Sequence, residues 1–343
     1  MRVLLTGGSG FLGRRLAAAL AGRHHLRLLL RPGARRDDLP PVEVAEGDVT
    51  DRASLDRAVA GCDGVVHAAA LVRILAPAAE FDRVNVGGLE NLLAAAAAGA
   101  VGHLVHVSSF MALGPTEGAP DGLLDEEAEP RDRRWINDYE RTKTLADRRA
   151  RRALAAGAPV SVVYPGVIYG PGELTEGNLL VRHLLDLAAG RVPALLGRPE
   201  RRWCYVHVED VVAGVIATLE RPASPGAPGT PGTPGTPGNR YVLGGENATS
   251  AELYRLIAEI GGIAVPAWRM PAPLATLLGA GRKGWARRAG GVPKLTPDLV
   301  EVYRHDWAYR SDRARRELGY APRTLAAGLA ETIDWLRGRG LWR

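Results

Sequence analysis

The chain has little cysteine, few aromatic residues and no long apolar run, and each shortage removes a class of protein. Its 343 residues include two cysteines, Cys62 and Cys204, which supply neither a disulfide framework nor the spacing of a metal site. No apolar run approaches ~20 residues, the length needed to cross a bilayer, so no stable membrane insertion is expected. The amino terminus leads directly into a short strand pattern, without the features of a signal peptide. We therefore expect a cytoplasmic protein that holds no metal.

The positive charge of the chain is spread along helical segments. The formal net charge is +6, from 44 Lys and Arg against 38 Asp and Glu. Pairs such as Arg148-Arg149 and Arg151-Arg152 are typical of a solvated helix face, and no basic stripe interleaved with aromatic residues accompanies them. We therefore expect no nucleic-acid partner, and a small-molecule substrate is the expected ligand.

The first half of the sequence alternates short apolar runs with helical patterns. Six runs are predicted strands, at residues 2–5, 26–30, 42–46, 64–68, 104–107 and 160–164. Helical patterns separate them, at residues 11–21 and in segments beginning at Leu55, Phe81 and Tyr139. Such alternation predicts βαβ units, and hence an α/β fold of the Rossmann type, a doubly wound parallel sheet with helices on both faces.

After Pro165 the alternation loosens, and proline and glycine become frequent. We assign residues 1–165 to a dinucleotide-binding domain and residues 166–343 mainly to a smaller, interleaved substrate-binding lobe. The chain is expected to return to the first domain at about residues 204–222 and 240–245. Residues 223–238 contain Gly-Thr-Pro repeats with nothing to bury, which predicts a low-complexity loop.

A later segment, residues 274–288, mixes Leu277, Leu278 and Trp285 with four basic residues. Three glycines fall within it, at positions 279, 281 and 284, and they predict a poor continuous amphipathic helix. We assign the segment to the substrate lobe in preference to a membrane-contacting surface.

A glycine-rich turn directly follows the first predicted strand. The spacing Gly7-x-x-Gly10-x-x-Gly13 stands between a strand and a helix, where the backbone can approach a pyrophosphate and the helix N-terminus faces its negative charge. The turn therefore predicts a dinucleotide site. The contacts expected from it are Gly7, Ser9, Gly10, Phe11, Leu12 and Gly13.

The residue after the second predicted strand indicates which dinucleotide binds. NAD-binding proteins place an acid there to bind the adenosine ribose, whereas this chain has Arg31, followed by Arg35 and Arg36. A cation suits a 2′-phosphate, so NADP(H) is predicted, with NAD(H) as the alternative. At the end of the third strand, Asp48 could accept a hydrogen bond from the adenine amino group, and Val49 follows it.

Two further signals point to proton transfer. Tyr139 and Lys143 stand four residues apart, so they share one face of a helix. A nearby ammonium favours the phenolate and is expected to lower the tyrosine pKa from its ordinary ~10. Upstream, Ser108 and Ser109 end an apolar run, and Ser109 would hydrogen-bond the substrate oxygen that Tyr139 protonates as hydride arrives. Together these residues predict a carbonyl or alcohol reacting beside a nicotinamide.

In these motifs the chain resembles the extended short-chain dehydrogenase/reductases, the NAD-dependent epimerase/dehydratase superfamily. Further matching segments run in order to the end of the chain, at residues 47–49, 67–70, 85–88, 165–172, 205–210 and 310–320. Within the superfamily, the sequence is most similar to dihydroflavonol-reductase-like proteins and to hopanoid-associated sugar epimerases.

This resemblance implies catalytic roles for Ser109, Tyr139 and Lys143, and it implies that Asn85 supports the active-site backbone. It also implies cofactor contacts from the ends of several strands, at Ala68, Ala69, Ala70, Asn85, Val107, Ser108, Tyr139, Lys143, Pro165, Gly166, Val167 and Ile168. His67 and His207 lie in strand patterns, and we interpret them as structural. Helices like those after Phe81 and from Tyr139 pair in dimers of the superfamily, which leaves a monomer or a homodimer open.

One departure from the superfamily bears on the substrate. Nucleotide-sugar members carry Arg-Asp-Phe where this chain has Trp203-Cys204-Tyr205, so the arginine that would bind a diphosphate is missing from its usual place. This favours a reductase that converts a ketone of a small, fairly apolar molecule, or oxidises the alcohol, with Trp203 helping to form the pocket. The alternative is a nucleotide-sugar epimerase or dehydratase with bound NAD. A non-catalytic scaffold of the same fold would predict a degraded Ser/Tyr/Lys set, which this chain does not show.

Overall fold

Ten strands form two sheets in the computed structural model of the protein, which describes residues 1–73, 75–129, 134–221, 239–289 and 293–342. The strands are β1 (Arg2–Thr6), β2 (His25–Leu30), β3 (Glu43–Glu46), β4 (Gly64–His67), β5 (His103–Val107), β6 (Val160–Pro165), β7 (Val167–Tyr169), β8 (Arg202–His207), β9 (Arg240–Leu243) and β10 (Glu246–Thr249). Seven of them make a parallel sheet in the order β3-β2-β1-β4-β5-β6-β9. The predicted Rossmann-type, doubly wound sheet is therefore confirmed. The predicted low-complexity loop at residues 223–238 lies outside the described residues.

Helices cover both faces of the large sheet. One face packs against α2 (Arg52–Val59), α4 (Gly88–Ala98) and α5 (Asp138–Ala155), and the other against α1 (Phe11–Ala21), α7 (Val208–Glu220) and α11 (Asp312–Leu318). Because both faces are covered, strands β4 and β6 are buried at every residue, as central parallel strands are.

The smaller sheet has the order β10-β8-β7 and its own apolar core. Its helices are α6 (Leu179–Ala188), α8 (Ser250–Gly261) and α12 (Leu325–Gly338), which bury Leu184, Ile257 and Ile333 beside Tyr169. The segment expected to return to the first domain at residues 204–222 thus contributes a strand to this sheet and helix α7 to the large one. Strand β9 forms the edge of the large sheet. The domain boundary at residue 165 stays a prediction.

The helical segment predicted from Phe81 has three parts. A single turn, α3 (Ala78–Phe81), leads into a π-helix over Asp82–Gly87, and α4 follows without a break. The sequence pattern did not predict the π-helix, because apolar spacing does not distinguish the two hydrogen-bonding periods. The wider turn holds Asn85, which is buried.

The segment at residues 274–288, which we assigned to the substrate lobe, is helical in spite of its three glycines. Residues Ala272–Ala289 form one continuous helix, α9, which packs against the short α10 (Pro297–Val302). Added Cβ atoms at Gly281 and Gly284 would meet open space, whereas one at Gly279 would lie 3.0 Å from the Thr296 backbone. The absence of a side chain at Gly279 therefore allows the backbone at Thr296 to approach α9 closely. No helix in the described part of the chain is long and apolar enough to cross a membrane.

The glycines of α9 allow a matched test of this packing. We predict that Gly284→Ala stabilises the fold by about 0.5–1 kcal/mol, because alanine restricts the unfolded chain and meets no neighbour. Gly279→Ala should destabilise it by about 1–3 kcal/mol, because the Thr296 backbone has to move. Thermal unfolding followed by circular dichroism measures both, and midpoints that shift in the same direction would contradict this account of the helix.

Candidate active site

The glycine turn is built by close backbone packing. Gly7 has φ +78°, a left-handed conformation that favours glycine, and it lies against the backbone that follows β4. A Cβ at Gly7 would lie 2.6 Å from the carbonyl carbon of Ala68, and one at Gly13 would lie 1.9 Å from the Gly7 oxygen. The Gly10 N–H donates to that same oxygen at 3.0 Å. The turn thus leaves no room for side chains on its inner side.

Helix α1 begins at this turn. Its N-cap is Gly10, which has no side chain to cap the helix, and its first turn holds no acid. Below it, the buried Arg14 donates from Nε to the Ser9 carbonyl at 3.2 Å and from its terminal nitrogens to the carbonyls of Arg35 and Asp37. Arg14 therefore ties the glycine turn to the loop after β2. Sequence reasoning missed it, although an arginine on the apolar side of α1 was a visible signal.

The loop after β2 carries the three arginines that suggested a 2′-phosphate. Arg35 pairs with Asp37 at 3.2 Å, and Arg36 pairs with Glu46 at 2.8 Å. Arg31 is exposed and makes no ion pair with the described residues. The structure therefore places Arg31 at the expected end of β2 with its charge facing solvent.

Asp48, predicted to accept from an adenine, is partly exposed at the end of β3. Its Oδ1 accepts the Thr50 N–H at 2.8 Å, and its backbone N–H donates to Ser54 Oγ at 3.1 Å. One carboxylate oxygen is therefore already engaged locally. Val49 is buried beside it, against α4.

The three predicted catalytic residues come together at the carboxyl ends of β5 and β6. Ser109 ends the loop after β5, and its side chain hydrogen-bonds that of Tyr139. Asn137 caps α5 by accepting the Glu140 N–H at 2.8 Å, which sets the first turn that carries Tyr139. Lys143 follows one turn later, with Nζ 6.0 Å from the Tyr139 ring centroid and 3.1 Å from the Val107 carbonyl oxygen to which it donates.

Burial controls the titration of this set. It raises the pKa of Tyr139, and the hydrogen bond with Ser109 opposes that rise. It also lowers the pKa of Lys143 to about 8, an effect that the charge of Asp147 opposes. The expectation that the ammonium lowers the phenol pKa is therefore not met by this arrangement, because removal of water from the phenol dominates.

Asn85 links the π-helix to two other parts of the site. Its Oδ1 accepts the Leu71 N–H at 2.7 Å, and its Nδ2 donates to the Leu71 carbonyl at 3.2 Å and to Thr142 Oγ1 at 3.1 Å. It thereby holds the loop after β4 against the helix of Tyr139 and Lys143. Asn85 makes these contacts from a buried position in the π-helix.

The remaining predicted contacts lie along the same edge of the large sheet. Ala68, Ala69 and Ala70 follow β4 and are partly exposed, whereas Val107 and Ser108 are buried. Pro165 and Gly166 lie between the two sheets, where a Cβ on Gly166 would be 2.4 Å from the Cys204 carbonyl. Partly exposed residues of β7 follow, Val167 and Ile168. Phe11 is buried, with its ring against Gly172.

The two histidines of the motif segments have structural surroundings. His67 Nδ1 lies 2.7 Å from Thr6 Oγ1, and burial lowers the pKa of His67 to about 3. His207 Nδ1 accepts the Glu209 N–H at 3.4 Å at the start of α7, and burial lowers its pKa to about 3 as well. Both rings are therefore neutral at ordinary pH.

A cavity of about 1240 Å³ lies between the loop after Ser109 and the smaller lobe. Its apolar wall includes Leu113, Leu124, Leu196, Met270 and Val300. Each arginine of its wall has a partner within the protein: Arg198 with Glu200, Arg201 with Glu117 and Asp306, Arg269 with Ser250, and Arg304 with Glu301. Trp203, expected in the pocket, packs instead against the Tyr303 ring at a centroid distance of 4.7 Å.

A dinucleotide fits the residues of this edge. The absence of side chains at Gly7 and Gly13 lets the turn pack tightly against α1 and the backbone after β4, as the glycine turn of a dinucleotide site requires. The N-terminus of α1 supplies N–H donors and a positive dipole end for the phosphates. The Ser108 hydroxyl is buried without a hydrogen-bond partner among the described residues, so it retains a donor for a ligand. In doubly wound sheets ligands bind at this carboxyl edge.

Comparison with known proteins identifies the family of this chain. The chain matches the NAD dependent epimerase/dehydratase family over residues 3–231. It is 30% identical to sterol demethylase protein B of Methylococcus capsulatus, over 99% of this chain and 100% of that protein. It is 32% identical to a 4-hydroxy-2-methyl-3-oxo-4-farnesyl-3,4-dihydroquinoline-1-oxide ketoreductase of Stigmatella aurantiaca, over 99% and 97%.

A solved structure shares the fold over the full length of the chain. The crystal structure of gox2253 superimposes with a TM-score of 0.77 at 30% identity, covering 99% of each chain. The family match covers two thirds of the chain, and the relatives at this identity are covered over their full length. The chain belongs to the NAD-dependent epimerase/dehydratase family, within the extended short-chain dehydrogenase/reductase superfamily of nicotinamide-dependent oxidoreductases.

Proposed function

We propose that this protein is an NADP(H)-preferring reductase that converts a ketone of a small, fairly apolar molecule into the alcohol. The observation that carries the proposal is the convergence of Ser109, Tyr139 and Lys143 at the sheet edge that also holds the glycine turn. Two oriented hydroxyls and a buried ammonium are the groups that a carbonyl oxygen needs as it gains negative charge.

The protonated state of Tyr139 suits the reduction. The bound dinucleotide would supply the hydride, and the protein supplies the proton. Because burial keeps the phenol protonated at neutral pH, Tyr139 is ready to donate its proton to the carbonyl oxygen. Ser109 would donate a hydrogen bond to the same oxygen, and Lys143 would bind the ribose hydroxyls next to the nicotinamide. Oxidation of the alcohol needs the phenolate, so we expect it to be favoured only at higher pH.

Preference for NADP(H) rests on the charges around the loop after β2. Arg31 is exposed and free of ion pairs within the described residues, and it stands where an acid would bind a ribose hydroxyl. Arg36 adds a second cation, although Glu46 partly neutralises it. A 2′-phosphate would pair with Arg31 without breaking an existing contact.

An apolar substrate is supported by the cavity and by the relatives. Arg201, two residues before Trp203, is already paired with Asp306 at 2.8 Å, so a diphosphate would have to break that ion pair to bind this arginine. The names of two relatives refer to a sterol and to a farnesyl-substituted quinoline oxide, both largely apolar molecules. A purified protein that retains NAD and is stabilised by UDP would instead indicate a nucleotide-sugar epimerase.

The phenol hydroxyl is tested by removing it alone. Tyr139→Phe should lower kcat for NADPH-dependent reduction of a ketone panel by about 10²–10⁴-fold, because the proton donor is lost. NADPH affinity, measured by quenching of tryptophan fluorescence, should change little. Tyr241→Phe is the matched control, since its hydroxyl bonds Glu317 at 2.9 Å outside the site. Full activity of Tyr139→Phe would refute the catalytic assignment.

The charge at the end of β2 is tested by the ratio of the two cofactors. Arg31→Ala should lower kcat/KM with NADPH relative to NADH by about tenfold or more, because a charge-assisted contact to the 2′-phosphate is lost. Arg52→Ala, which removes an exposed arginine paired with Asp56 on α2, serves as the control. An unchanged ratio, or a wild-type enzyme that prefers NADH, would disprove the NADP(H) preference.

A further inference from the structure

Helix α5 carries four titratable side chains at intervals of four residues: Tyr139, Lys143, Asp147 and Arg151. This spacing puts neighbouring members of the set on the same side of the helix, which packs against β6. The first two belong to the site described above. Neither Asp147 nor Arg151 has been given a role, and both lie on the protein side of the helix.

Asp147 is a buried carboxylate with fixed partners. Its side chain has no solvent exposure, its Oδ1 accepts the Tyr164 hydroxyl at 2.6 Å, and its Oδ2 lies 2.6 Å from Arg151 Nε. Burial raises the pKa of Asp147, and Arg151 and Tyr164 oppose that rise. A buried carboxylate is costly unless it is paired and hydrogen-bonded, and here both conditions hold.

Arg151 does not lie on the solvated face that its sequence context suggested. Its side chain is 12% exposed, and it donates to the Ala128 carbonyl at 3.0 Å and to Glu129 at 2.9 Å. Glu129 is 80% exposed. From the site outward, charges therefore alternate in sign through Lys143, Asp147, Arg151 and Glu129 until they reach solvent.

On the other elements packed around Lys143, the titratable groups of the described residues are neutral or cationic. His67 on β4 and His106 on β5 are buried, and burial lowers the pKa of each, so both rings are neutral. Tyr164 on β6 is protonated because burial and Asp147 raise its pKa. The charge of Arg240 on β9 also lowers the pKa of Asp147. Asp147 is the carboxylate whose charge favours the ammonium of Lys143.

We propose that Asp147 is a positioning residue of this site, whose buried carboxylate, fixed by Tyr164 and Arg151, keeps Lys143 an ammonium ion. The inference rests on the proposed reductase only for its catalytic consequence. Burial lowers the pKa of Lys143 to about 8 even with Asp147 present. Without the carboxylate the charged form is further disfavoured, so the midpoint moves to lower pH and Lys143 is increasingly a neutral amine at neutral pH.

The chain offers a direct measurement, because it contains only three lysines, Lys143, Lys283 and Lys294. In protein labelled with ¹³C-lysine, the Cε resonance of each reports its protonation, and Lys283→Arg and Lys294→Arg assign the signals. We expect Lys143 to titrate near pH 8 in the wild-type protein without cofactor. Asp147→Asn, which keeps the oxygen that accepts from Tyr164, should lower that midpoint by about one pH unit.

Asp138→Asn is the matched control, since Asp138 lies on the same helix but pairs with Arg141 at the surface. It should leave the Lys143 midpoint unchanged. An unchanged midpoint in folded Asp147→Asn, or an equal shift in Asp138→Asn, would overturn the proposal. Should Asp147→Asn fail to fold by circular dichroism, Tyr164→Phe removes a hydrogen bond that favours the charged carboxylate and should lower the Lys143 midpoint, by less than Asp147→Asn would. A rise or no change of the midpoint in folded Tyr164→Phe would overturn the proposal equally.

The catalytic consequence has a separate readout. Asp147→Asn should move the high-pH limb of kcat/KM for ketone reduction to lower pH by the same shift, whereas a merely structural role would lower kcat/KM at every pH alike. The two failures are distinguishable. A wild-type protein that reduces no ketone with either cofactor would defeat the proposed function and leave the lysine titration intact. Ketone reduction by Asp147→Asn with the high-pH limb of kcat/KM at its wild-type position would defeat the role of Asp147.

Discussion

The close approach of the glycine turn to the end of β4 is the constraint on which the site depends. With Gly7 against the Ala68 carbonyl carbon and Gly13 against the Gly7 oxygen, any Cβ at these positions would occupy backbone space. This packing brings β1, α1 and the loop after β4 into one rigid corner. Asn85 then ties that loop to α5. The glycine turn and the residues proposed to transfer a proton are therefore parts of one continuous structure.

Exclusion of water determines what the residues of this corner can do. The same burial keeps the Tyr139 phenol protonated and pushes Lys143 toward its neutral form. The first effect suits a proton donor, but the second would remove a useful cation. A fixed carboxylate one helical turn beyond Lys143 offsets the second effect, which gives Asp147 a reason to be buried. Helix α5 thus carries the proposed proton donor, the cation and the proposed counter-charge on neighbouring turns.

Much of this arrangement could be predicted from the sequence, because its signals are local. The glycine spacing, the apolar runs and the interval between Tyr139 and Lys143 each depend on a few neighbouring residues. The π-helix around Asn85 could not be predicted, because apolar spacing does not distinguish its hydrogen-bonding period from that of an α-helix. Arg14 and Arg151 are arginines that the fold buries by supplying carbonyl and carboxylate partners. Composition alone assigns such residues to the surface.

The measurement that tests the central claim most directly is a crystal structure of the protein with NADPH. The account predicts the pyrophosphate against the turn from Gly7 to Gly13, the 2′-phosphate beside Arg31, and the nicotinamide ring next to the hydroxyls of Ser109 and Tyr139. A nicotinamide ring that lies away from Tyr139, with the pyrophosphate still at the turn, would contradict the claim that the turn and the proton-transfer residues form one active site.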